Sequence, residues 1–134
     1  VADTVASPEA AFGSASLIVT GTTSKTPVMG AQVRPDAFIA AVGAYNHHMA
    51  ELPPDLVRRA SLFVDSLEGA QAEAGDLLQA GVDWSHVTPL AQALSNVPAI
   101  ASTSAGQPVI FKSVGHALWD LAAARLAVAA LGQG

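Results

Sequence analysis

Apolar residues fall along this chain in short bursts closed by glycine, proline or hydroxylic residues, and two periods alternate between the bursts. Ser16 to Thr20, Ala37 to Val42, Leu62 to Asp65 and Val109 to Lys112 are brief apolar runs that predict four buried strands. Helix signals lie around them. Ser7-Pro8-Glu9 offers an N-cap followed by proline at the first helical position, and Gly13 can stop a short helix over 7–13. Leu52-Pro53-Pro54-Asp55 opens a second short helix through Arg59. Ser66 is placed to cap a longer one, in which Leu67, Ala70, Ala74, Leu77 and Leu78 recur at helical spacing, Glu68 suits the first turn, and Gly75 ends or kinks the run. Thr88-Pro89 predicts a short helix to Leu94, and Asn96 to Gln107 reads as an exposed loop. A closing helix sets Val114, Ala117, Leu118, Leu121, Ala124, Val128 and Leu131 on one face. Strands alternating with helices imply an α/β domain with parallel pairing and right-handed crossovers, without an internal repeat.

Three of the apolar runs end alike. Thr20-Gly21-Thr22-Thr23-Ser24, Ala41-Val42-Gly43-Ala44-Tyr45 and Phe111-Lys112-Ser113-Val114-Gly115 each leave a strand through small, hydroxylic or glycine residues. In an open parallel sheet ligands sit beyond the carboxyl ends of the strands, where small residues let a cofactor approach the main chain. The plainer alternative is that Thr22 and Ser113 only cap the turns that follow and Gly43 only permits a tight turn. The joint pattern favours a ligand site.

Composition narrows the choice. With 51% hydrophobic and 13% charged residues in 134, the chain suits buried parallel strands but has little polar surface for a free-standing domain. Some of its apolar surface is therefore expected to meet something outside this sequence. The net charge of −5 and six scattered Lys and Arg give no footprint for nucleic acid or an anionic membrane. The absence of cysteine excludes disulfides and thiolate chemistry and agrees with a cytoplasmic location. Val114 to Leu131 is interrupted by His116, Asp120 and Arg125, so no membrane span is expected.

The blocks Ile18-Val19-Thr20-Gly21-Thr22-Thr23-Ser24 with Pro27-Val28, Ala41-Val42-Gly43-Ala44 with Glu51-Leu52, Val64-Asp65-Ser66, Glu73-Ala74-Gly75-Asp76-Leu77, and Phe111-Lys112-Ser113-Val114-Gly115 with Asp120 follow one another across nearly the whole chain. In that order they resemble the ornithine cyclodeaminase and mu-crystallin family of dinucleotide-dependent enzymes. The resemblance implies a partial Rossmann-like, doubly wound domain with a mostly parallel sheet and a C-terminal helix. Residues 1–134 would be the C-terminal part of the dinucleotide-binding domain, with the N-terminal substrate and dimerisation half outside this sequence. It further implies NADPH or NADH as cofactor, a small imino or amino acid as substrate, and a homodimer for the full-length protein.

Residue by residue, the resemblance places cofactor contacts at Thr22, Val42, Gly43, Ala44 and Ser113, and a substrate contact near the nicotinamide at Val114. Ornithine cyclodeaminases carry an acidic residue directly after the Gly-Ala or Gly-Gly pair, where this chain has Tyr45. A phenol is a poor base at neutral pH but can donate a proton or a hydrogen bond. The segment from Gly43 to Leu52 is more similar to the family's reductases of cyclic imines, which convert Δ1-pyrroline-2-carboxylate and Δ1-piperideine-2-carboxylate to L-proline and L-pipecolate. Tyr45 is then the candidate catalytic group. The other activities the resemblance offers are NAD-dependent cyclodeamination of ornithine with release of ammonia, and non-catalytic small-ligand binding of the mu-crystallin kind. The sequence contains no G-x-G-x-x-G, so the pyrophosphate has no cradle here, and the chain by itself is expected to bind cofactor poorly.

Other titratable groups invite less. His47 and His48 beside Glu51 suggest metal ligands, but adjacent residues of a strand point apart and no further ligand set accompanies them, so no metal is expected. His116 and Asp120 are spaced to pair on one helical turn, His86 beside Trp84 reads as loop packing, and Glu73 with Asp76 reads as a polar helix end.

Overall fold

The computed structural model describes residue 4, residues 6–95 and residues 106–132. Most of the expected Asn96 to Gln107 loop lies outside the described residues. Five strands, β1 (Leu17–Thr20), β2 (Phe38–Ala41), β3 (Ser61–Val64), β4 (Val87–Pro89) and β5 (Val109–Lys112), form one sheet in the order β1-β2-β5-β3-β4. Every pairing is parallel, as the α/β reading requires. The last strand in sequence is the central one, so the connection from β2 to β3 leaves a gap that β5 fills.

Among the described residues the α-helices are α1 (Pro8–Phe12), α2 (Pro54–Arg59), α3 (Leu67–Glu73), α4 (Gly75–Ala80), α5 (Leu90–Ser95) and α6 (Ala117–Leu131). Pro8 begins α1 as expected, but the Ser7 side chain makes no capping hydrogen bond. Ser66 does cap α3, accepting from the Gly69 N–H at 3.2 Å. The run expected after Ser66 is divided into two helices at Ala74, whose ψ of 83° takes the chain out of the helical region immediately before Gly75, where an end or kink is expected. The helix expected at Thr88-Pro89 starts only at Leu90, because Val87, Thr88 and Pro89 form an edge strand. Proline at the end of an edge strand removes no donor the sheet needs, and the β-branched Val87 and Thr88 suit a pleated surface.

The two faces of the sheet differ. Ile18, Ile39, Leu62, Val64, Val87 and Ile110 point into a core closed by Leu56 and Val57 of α2, Ala70 of α3 and Leu77 and Ala80 of α4. Alternate residues face the other way, where Leu17 and Val19 are each 65% exposed and Phe38 also meets solvent. A parallel sheet ordinarily covers both faces. The expected apolar stripe of α6 is likewise uncovered: no residue of that helix is buried, Trp119 and Leu126 make it apolar on further sides, and Val114 precedes the helix, packed at the core's edge. Both features fit the expectation that apolar surface meets something beyond this sequence. Among the described residues no helix is long and apolar enough to cross a bilayer.

Candidate functional site at the strand ends

Register makes the sheet's carboxyl edge level. Thr20, Ala41, Lys112, Val64 and Pro89 are Cα partners in one row, so all five strands stop together. The residues that follow, Gly21-Thr22, Val42-Gly43-Ala44-Tyr45, Asp65 and Ser113-Val114, form a rim across the sheet. Thr22, Val42 and Tyr45 are exposed there, Gly43, Ser113 and Val114 are half-buried, and Ala44 is buried. The fold thus gathers every site residue expected from sequence along one edge.

Beneath the rim lies the carboxylate of Glu51, a motif residue weighed above only as a metal ligand beside His47 and His48. Glu51 is 0% exposed. Its Oε1 accepts the Thr22 N–H at 2.5 Å, and its Oε2 accepts the Thr20 hydroxyl at 3.0 Å and the N–H groups of Gly43 at 2.7 Å and Ala44 at 3.3 Å. Burial alone would push this carboxyl up, but hydrogen bonds from Thr22, Gly43 and Thr20 outweigh it and hold Glu51 below the usual range. The carboxylate ties the end of β1 to the end of β2. Gly43 is required by this approach: a Cβ there would overlap the Thr22 main chain and Glu51 Oε1. Its φ is not positive, so close approach, and not the geometry of a tight turn, explains the glycine.

Glu51 is itself held. Asp76, read from sequence as a polar helix end, is buried, and its Oδ1 accepts the N–H groups of Glu51 at 2.6 Å and Leu52 at 2.9 Å. Its Oδ2 lies 3.3 Å from the Nζ of Lys112, also fully buried, at ion-pair distance but without hydrogen-bond alignment. Burial pushes the Lys112 amine down, against the opposing pull of Asp76, Glu51 and Asp65. A signal for this network exists in the sequence. Residues two apart in a strand share a face, so Lys112 must follow Ile110 inward, and a charge at that position calls for a partner.

A second carboxylate ties the other pair of strand ends. Asp65 Oδ2 accepts the Ser113 hydroxyl at 2.6 Å and the Gly115 N–H at 3.2 Å, while Oδ1 accepts the Ser66 N–H at 2.8 Å. Gly115 has φ +85°, a conformation costly for other residues, which turns its N–H back toward Asp65 before α6 begins. Ser113 is therefore engaged with β3, while its oxygen also accepts from Gly115.

The remaining candidates separate. Tyr45 is 53% exposed and its hydroxyl has no hydrogen-bond partner among the described residues; it borders a cavity of about 400 Å³ with Thr23, Lys25, Asn46 and the His47-His48 pair. Those histidines lie in a turn, not a strand, and their rings are 3.9 Å apart, so the argument that they point apart does not hold. Among the described residues no three potential metal ligands gather. His116 does not pair with Asp120; its Nδ1 accepts the Leu118 N–H at 3.2 Å and so caps α6, its ring edge-on to Trp119. His86 lies 3.3 Å from Asp83 on the surface.

A wholly parallel sheet with a level rim of glycine, threonine and serine places the protein in the class of nucleotide-type α/β folds, in which ligands meet the carboxyl ends of strands. Residues 2–131 match the ornithine cyclodeaminase/mu-crystallin family model, and the chain belongs to that family. It is 46% identical over 115 residues to Delta(1)-pyrroline-2-carboxylate reductase 1 of Burkholderia multivorans, covering 86% of this chain and 36% of that protein. It is 38% identical over 122 residues to ketimine reductase mu-crystallin of Mus musculus, covering 90% of this chain and 37% of that one. Among solved structures it resembles the Delta(1)-pyrroline-2-carboxylate reductase of Thermococcus litoralis in complex with NADH and L-proline, with a TM-score of 0.66 and 28% identity over 83% of this chain and 36% of the other. The chain spans about a third of the length of the curated relatives it matches.

Proposed function

We propose that this chain carries one wall of the active site of an NADH- or NADPH-dependent reductase of cyclic imino acids, reducing Δ1-pyrroline-2-carboxylate or Δ1-piperideine-2-carboxylate to L-proline or L-pipecolate. The observation that carries this reading is the level rim of Thr22, Val42, Gly43, Ala44, Ser113 and Val114 in a chain 46% identical to a reductase of that substrate class. The rim suits an anionic dinucleotide. Glu51, beneath the Thr22 and Gly43-Ala44 part of it, is enclosed by four donors and presents no bare charge to an incoming ligand.

In this reading Thr22 offers a hydroxyl, Val42 an apolar side chain, and Gly43 and Ala44 a flat stretch of main chain to the nicotinamide end of the cofactor. When bound, the reduced nicotinamide supplies the hydride that converts the imine carbon to C–H. Ser113, held by Asp65, is a further cofactor contact, and Val114 bounds the substrate side near the nicotinamide. Tyr45 is the group free to donate a hydrogen bond or proton to the substrate. A protonated imine accepts hydride readily, so orientation is the main demand on the protein.

The sheet's uncovered face and exposed β1 edge support a longer protein in which the sheet continues past β1, the phosphate-binding turn and substrate half being supplied from outside these residues. A homodimer of that protein belongs to the same reading. The test is oxidation of NADPH and NADH by the full-length protein supplied with each cyclic imino acid. Turnover without ammonia release is expected; cofactor binding with no turnover on either imine, or ammonia release from ornithine, would overturn it.

A further inference from the structure

Glu51 sits below the surface a cofactor would touch, and the arrangement around it has a consequence for binding. Three main-chain N–H groups, those of Thr22, Gly43 and Ala44, all turn inward to one carboxylate, joined by the Thr20 hydroxyl. Without that acceptor the three N–H groups would lose their shared partner, and the two rim loops would move to find another. The side chain must span from one loop to the other, and its own main chain cannot drift, because Asp76 accepts both the Glu51 and Leu52 N–H groups. Asp76 is in turn held toward β5 by the Lys112 ammonium at 3.3 Å. The chain of contacts therefore runs from the central strand, through two buried carboxylates, to the main chain of the rim.

We infer that Glu51 is a positioning residue for cofactor binding: its carboxylate, braced by Asp76 and Lys112, fixes how the Thr22 and Gly43-Ala44 loops are seated on each other, and so the surface against which the nicotinamide end of the dinucleotide lies. The inference rests on the reductase reading above. Both carboxylate oxygens accept, so an amide of the same shape must turn its NH2 toward at least one main-chain N–H. The cheaper orientation keeps the oxygen on Gly43, Ala44 and Thr20 and frees the Thr22 loop alone. An amide thus preserves the packing and releases one of the two loops, which a purely structural role would not register in cofactor affinity.

The experiment is steady-state kinetics of full-length wild type and Glu51→Gln with NADPH, NADH and Δ1-pyrroline-2-carboxylate, with thermal unfolding in parallel. The expected result is a cofactor KM raised about tenfold, with the imino acid KM changed less than about twofold and the protein folded at the assay temperature. A folded Glu51→Gln with an unaltered cofactor KM would overturn the inference while leaving the reductase reading intact. A wild type that neither binds nor oxidises either cofactor would overturn the reductase reading and this inference with it. Should Glu51→Gln not fold, Thr20→Val decides: it removes one donor to the carboxylate, and a cofactor KM raised about threefold supports the inference while an unchanged one contradicts it.

Discussion

Glu51 and Asp65 perform the same operation at two places. Each is a carboxylate that ties two neighbouring strand ends, Glu51 joining β1 to β2 and Asp65 joining β3 to β5. Glu51 is buried, takes four donors and is backed by a second buried carboxylate and a buried ammonium; Asp65 is half-buried and takes three donors. The two halves of the rim therefore respond differently to a lost partner. A buried, fully satisfied charge gives a fixed geometry that is costly to disturb, whereas a carboxylate near solvent can exchange a lost partner for water. The Thr22 and Gly43-Ala44 loops are thus the rigid half of the rim, and the Ser113-Val114 side is the adjustable one.

The largest break in the comparison is Glu51→Leu. It leaves three inward N–H groups unpaired and is expected to cost about 4 kcal/mol or more of folding stability, measured by urea unfolding of the full-length protein. Lys112→Met strands Asp76 as an uncompensated buried anion and should cost about 3 kcal/mol, much of it recovered when Asp76→Asn is added. Asp65→Asn should cost only about 1 kcal/mol, because the amide oxygen can still serve Ser66 and the Ser113 hydroxyl can turn to accept. If Asp65→Asn proves as damaging as Glu51→Leu, the two halves of the rim are not different in kind.

Acid sharpens the same contrast. The folded-state carboxyl of Glu51 is held below its unfolded value, so its stabilisation is complete above the unfolded carboxyl range and is lost as pH falls through the depressed folded value. The difference in melting temperature between wild type and Glu51→Gln should therefore be largest near neutrality and shrink steadily in acid. A difference independent of pH would mean that the charge of Glu51 contributes nothing. The smallest effect is expected on α6, where Leu126→Gln on a 73% exposed side chain should change the stability of the 134-residue chain by less than about 0.5 kcal/mol.

The strands and the rim were legible because apolar runs and the small residues that end them are local signals. Four of the five strands, and every expected rim residue from Thr22 to Val114, follow from them. Val87-Thr88-Pro89 was not legible as a strand because Thr-Pro is equally a helix start, and only pairing beside β3 decides between them. The interruption of the run after Ser66 was legible at Gly75, whereas the bare faces of α6 depend on tertiary neighbours. The Glu51-Asp76-Lys112 network escaped for a related reason. Its members are 25 and 36 residues apart in sequence, taking Glu51 to Asp76 and Asp76 to Lys112 as the differences of their numbers, and no local pattern reports their meeting. Lys112 alone carried a cue, as a charge on the inward face of a strand.

The most direct measurement is a crystal structure of the full-length protein with NADH and L-proline. The nicotinamide ring is expected against Thr22 and the Val42-Gly43-Ala44 main chain, with proline between it and the Tyr45 and Val114 side chains, and Glu51 still enclosed by its four donors. A dinucleotide seated away from this rim, or a Glu51 carboxylate turned out to meet the ligand, would contradict that expectation.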